Sequence, residues 1–89
     1  MTRRSHPIDR VIADNLVLFR KNAGMSQSEL GDRIGVSFQQ VQKYENTANR
    51  IAASRLWQCS EALGVPVQEF FVRRACDLSA AAGMSVPAD

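Results

Sequence analysis

The chain has 89 residues, 45% of them hydrophobic and 22% charged, and a formal net charge of +2. That length accommodates one domain, near the lower size at which a single core holds without help, and that composition excludes disorder over most of the length. A charge this small is weak testimony for a polyanionic partner.

Apolar residues recur at helical spacing throughout, and no segment sustains a strict apolar–polar alternation, so the fold class is all-α. Residues 1–8 form an N-terminal arm. Its Arg3 and Arg4 read either as a basic arm on phosphates or as a solvated terminus. Helix 1 is predicted over Asp9 to Asn22, with Ile8, Ile12, Leu16 and Phe19 as one stripe, Val11 beside it and Pro7 suiting the start. Ala23-Gly24 ends it. Ser26-Gln27-Ser28-Glu29 is a capping box opening helix 2, in which Leu30 and Ile34 face inward. Gly31 has no side chain, so another helix can approach closely there, and Gly35 closes the helix with an expected positive φ. Ser37 caps helix 3, with Gln40 in the reciprocal position. Two capped helices separated by Gly35-Val36-Ser37 fit a helix-turn-helix, although a plain helical hairpin has the same periodicity. A polar loop from Asn46 to Ile51 follows. Helix 4 is predicted over Ala53 to Leu63, with Leu56, Ser60 and Leu63 inward, Trp57 partly so and no capping side chain at Ala52. Gly64-Val65-Pro66 stops it. Helix 5 is predicted from Val67 to about Leu78, completing a domain over residues 9–78, and residues 79–89 read as a flexible tail.

Helix 3 divides sharply by angle. At about 100° per residue, Tyr44 lies about 60° from Val41, whereas Gln39, Gln42 and Lys43 lie about 160°, 100° and 160° away. With Val41 and Tyr44 toward the core, the opposite face is polar and free of acids. Gln can pair bidentately with adenine and Lys can donate to guanine in a major groove. A polar outward face is equally what any surface helix shows. Phe38 sits at the edge of this face, either touching a thymine methyl or packing on helix 2.

Charge leans toward the N-terminus. Residues 1–22 carry +3, from Arg3, Arg4, Arg10, Arg20 and Lys21 against Asp9 and Asp14; residues 23–50 are neutral and the remainder is −1. Cys59 and Cys76, with no hydrophobic signal segment, point to a cytoplasmic protein with reduced thiols. One histidine, His6, and two cysteines make no zinc set. Glycine clusters for phosphate and catalytic motifs such as HExxH or GxSxG are missing, so neither enzymatic activity nor a cofactor is expected. No stretch is apolar enough for a membrane span.

The runs Arg20 to Gly31 and Ile34 to Asn46 resemble the phage-repressor-like (Xre/Cro-type) helix-turn-helix family, and Ala62-Leu63-Gly64-Val65-Pro66 resembles the end of its fourth helix. The similarity covers about Asp9 to Phe71 and implies a five-helix DNA-binding domain with helices 2 and 3 as the helix-turn-helix. It further implies that Phe38, Gln39, Gln42 and Lys43 read bases and that Gln27, Gln40, Asn46 and Arg50 meet phosphates. Arg20 and Glu45 would form a structural ion pair between helices 1 and 3. Two residues depart from the family's pattern. Thr47 stands where Gly is usual, so that the loop is either strained there or follows another path. Gly31 replaces Ala, at about 1 kcal/mol in helix propensity. Family members often bind as dimers, which makes helix 5, through Phe70, Phe71 and Leu78, the candidate homodimer seam. The implied function is a transcriptional regulator that reads a short palindromic operator in double-stranded DNA through helix 3. The alternative is a protein-interaction or antitoxin-like module on the same fold.

Overall fold

The structure, a computed structural model, describes residues 6–74. Among these, four α-helices occur, with no strand: α1 (Pro7–Asn22), α2 (Gln27–Ile34), α3 (Phe38–Glu45) and α4 (Ala53–Leu63). A short 3-10 helix, Val67–Phe71, follows them.

The ends of these helices follow local chemistry. Ser26 accepts from the Glu29 amide at 3.0 Å while the Glu29 carboxylate accepts from the Ser26 amide at 2.7 Å, closing the capping box of α2. Gly35 and Gly64 terminate α2 and α4 in the left-handed region, with φ of 80° and 68°. Ala52 offers α4 no side-chain cap. Helix α1 starts two residues earlier than its apolar pattern suggests. The His6 ring nitrogen accepts from the Ile8 amide and the Asp9 carboxylate accepts from the His6 amide, so His6 is the cap and Pro7 the first turn.

Ile12 and Leu16 of α1, Leu30 and Ile34 of α2, Val41 of α3, Leu56 and Cys59 of α4, and Phe70 form one buried cluster. Phe70 is fully enclosed and meets the Phe19 ring edge-on, with centroids 5.0 Å apart. Cys59 belongs to this core and Trp57, 56% exposed, does not, contrary to the partly inward position expected for it. At Gly31 the close neighbour is the turn itself. A Cβ there would stand 2.6 Å from the Val36 carbonyl oxygen, so the missing side chain lets the turn fold back against α2.

The predicted fifth α-helix is corrected. The chain makes a single 3-10 helix and turns extended at Val72, with φ −89° and ψ 127°. Asn15, buried on α1, donates to the carbonyls of Phe70 and Val72 at 2.8 and 2.9 Å. Arg74 donates to the Glu69 carbonyl at 2.7 Å and to the Asn15 side-chain oxygen at 2.9 Å. The carbonyls that a continuing helix would use are therefore taken by side chains, a tertiary contact overriding propensity. Leu78 and residues 79–89, like Arg3 and Arg4, lie outside the described residues.

Candidate nucleic-acid interface

Helix α3 is anchored along one side and open along the other. Val41 is fully buried, Tyr44 is half-buried against the core, and Gln39, Gln42 and Lys43 are exposed. Ser37 caps the helix by accepting from the Gln40 amide at 3.1 Å. Gln40 does not return a reciprocal bond. Its side chain instead donates to Asn49 at 3.2 Å, bracing the loop beyond the helix. Phe38 is 42% exposed and stands apart from the core cluster.

The far end of α3 is held by Glu45, only 8% exposed. Its carboxylate accepts from Arg20 Nε at 2.6 Å, from Arg20 Nη2 at 3.1 Å and from the Gln27 amide at 2.9 Å. Arg20 also donates to the Met25 carbonyl, and Arg10 donates to the Glu45 carbonyl at 3.0 Å. Buried charge is tolerable only when it is paired and hydrogen-bonded, and here the carboxylate accepts three bonds while Arg20 donates three. The result fixes the rotation of α3 against α1 and α2 and keeps the acid off the outward face. Gln27 thus spends one of its two amide hydrogens inward, as a brace between α2 and α3.

The loop after α3 keeps the left-handed residue. Thr47 has φ 62°, a costly conformation for a β-branched side chain, and its hydroxyl donates to the Asn46 carbonyl at 2.6 Å. Asn46 is exposed, and its side-chain oxygen accepts from the Ala48 amide. Arg50, with 63% of its side chain exposed, pairs with Asp9 at 3.1 Å. Phe38, Gln39, Gln42 and Lys43 therefore share the exposed helix, while Gln40, Asn46 and Arg50 follow along its rim.

Several supporting residues escape the sequence reading. Arg10 and Arg55 act as distant caps, Arg55 donating to the Ile34 carbonyl at the end of α2. An arginine's reach across the fold has no local signature. Asn15 does leave one: a polar residue between Val11 and Phe19 on the apolar side of α1 asks for a buried partner.

A helix-turn-helix family model matches residues 17–70, spanning the two capped helices, the loop and α4. The chain belongs to the Xre/Cro-like helix-turn-helix family. Over 69 residues it is 46% identical to an uncharacterized HTH-type transcriptional regulator of Sinorhizobium medicae, covering 78% of this chain and 50% of that one. Over 70 residues it is 46% identical to an uncharacterized transcriptional regulator in the ATPase CF(0) region of Rhodospirillum rubrum, covering 79% and 65%. The chain thus spans about half the length of several curated relatives it matches. Among solved structures, the hypothetical transcription factor NHTF from Neisseria superposes with a TM-score of 0.72 at 32% identity, covering 81% of each chain. The biofilm master regulator SinR, in complex with DNA, gives 0.64 at 26% identity, covering 68% of this chain and 98% of that one. This helix-turn-helix chain has, among its described residues, no helix long and apolar enough to cross a membrane.

Proposed function

We propose that this helix-turn-helix chain is a transcriptional regulator that binds double-stranded DNA in a sequence-specific way, with α3 in the major groove. The observation that carries the reading is the face of Gln39, Gln42 and Lys43, exposed and free of acids on a helix whose opposite side is locked by Val41 and Glu45. Gln39 and Gln42 present the amide geometry that suits adenine, and Lys43 donates to guanine. Asn46 and Arg50 grip phosphates beyond the helix, with Gln27 and Gln40 at its flanks. SinR, a structural neighbour, is described in complex with DNA, which supports the same use of the fold here.

The operator is a short palindrome bound by a homodimer, with two recognition helices about 34 Å apart. Phe70 is buried and cannot be part of the seam. Phe71 and Val72, 45% and 42% exposed, take its place as the apolar surface offered to a second copy. The same exposed pair favours the second reading, an interaction or antitoxin-like module in which that surface takes a different protein. An antitoxin-like module would also bind its own operator, whereas undetectable DNA binding at low salt would favour a pure interaction module.

Selection of bound sequences from a random duplex pool tests the proposal, and a symmetric consensus is the expected result. The double variant Gln39→Ala/Lys43→Ala should keep its melting temperature and flatten base preference by about 1–3 kcal/mol at the positions those residues read. If the double variant selects the same consensus with equal stringency, α3 is not the reader.

A further inference from the structure

Phe38 is the first residue of α3 and is 42% exposed. The other two bulky apolar side chains of that helix behave differently: Val41 is fully buried and Tyr44 packs against the core. Phe38 is outside the buried core cluster, and 42% of its surface stays open to solvent whatever its covered side rests on. One helical turn on, its neighbours are the buried Val41 and the exposed Gln42. Residues four apart lie one above the other on a helix, so the ring extends the strip begun by Gln42. A large apolar surface thus sits half-open at the edge of an otherwise polar face.

The major groove offers such a ring one methyl group, the C5-methyl of a pyrimidine, and the other groups that distinguish the bases there are hydrogen-bond donors and acceptors. We propose that Phe38 is a specificity-determining residue that packs on the C5-methyl group of a thymine in each operator half-site. This rests on the reading of α3 as the base-contacting helix. The rise of about 1.5 Å per residue puts Phe38 about 7.5 Å along the axis from Lys43. The methyl of 5-methylcytosine has the same chemistry, and the two sources separate experimentally.

The test uses the full 89-residue chain. A consensus duplex is selected from a random pool, and each thymine in it is then replaced singly by deoxyuridine, which removes only the methyl. Affinity is read by fluorescence anisotropy. For the native chain, uridine at one position per half-site should weaken binding on the order of four-fold, the value of one buried methyl. Phe38→Ala should bind the thymine and uridine duplexes equally, keep its preferences at the positions read by Gln39 and Lys43, and melt at the native temperature. At the same position, the native chain should prefer 5-methylcytosine over cytosine, and the variant should not. A native chain indifferent to uridine at every thymine, or a Phe38→Ala variant that still discriminates, overturns the assignment while base reading by α3 stands. A pool that yields no preferred sequence overturns that reading, and the role of Phe38 with it.

Discussion

Glu45 is the residue on which the orientation of α3 turns. Two arginine nitrogens and one amide converge on a carboxylate that is only 8% exposed. Removing one partner of such a pair leaves the other charge buried and uncompensated, which is far costlier than losing the pair's modest net attraction. Glu45→Ala should therefore destabilise the fold by about 3–5 kcal/mol in urea titration. Glu45→Gln, which retains acceptors for Arg20, should lose clearly less. Thr47 stores strain of the opposite sign. Its φ of 62° costs a β-branched residue what it would not cost glycine. Thr47→Gly should raise stability by about 1 kcal/mol, the left-handed penalty less glycine's extra unfolded freedom. A thermal melt that shows no rise would mean that the Thr47 hydroxyl bond to Asn46 offsets the strain.

At the scale of elements, the C-terminal segment is held by α1 and not by helix formation of its own. Asn15 satisfies the Phe70 and Val72 carbonyls, and Arg74 reaches back to Glu69 and stacks on Phe19 at 5.0 Å. Asn15→Ala leaves those carbonyls without their donor, at about 1–3 kcal/mol. Hydrogen exchange should speed up in residues 69–74 before α2 and α3 respond, because the segment forms the least self-sufficient part of the domain. Uniform acceleration across all helices would show instead that the segment opens only with the whole fold. The turn between α2 and α3 is similarly a packing feature: Gly31 carries its lower helix propensity because the Val36 carbonyl occupies the space of a side chain.

For the whole molecule, the single core is the source of stability and Cys59 reports on it. The thiol is fully buried, and burial first, then the nearby Glu45 charge, push its pKa from 9.0 to about 12. The folded value lies above the unfolded one, so the thiol's contribution is full below pH 9.0 and falls as pH climbs toward about 12. Native stability minus that of Cys59→Ala should therefore shrink across that window in parallel urea titrations at increasing pH. In a Cys76→Ser background, alkylation of Cys59 at neutral pH should proceed no faster than global unfolding; rapid labelling of the folded chain would contradict a closed core.

Where α2 and α3 begin and where α2 and α4 end was legible in local chemistry, since Ser26 with Glu29, Ser37, and the glycines at 35 and 64 act through neighbours within a few residues. The inward side of α3 was legible too, because Val41 and Tyr44 share one face whatever the helix packs against. Residue order and spacing also carried the family resemblance. Only the tertiary structure decided the rest. Gln27 turns inward to Glu45, Gln40 turns to Asn49, and Phe38 stays out of the core. The chain after Phe71 stops being helical because Asn15, 55 residues from Phe70 in sequence, takes its carbonyl. Helical periodicity records which side of a segment is apolar; which distant donor reaches which carbonyl depends on how the helices pack, and that is not written in any one of them.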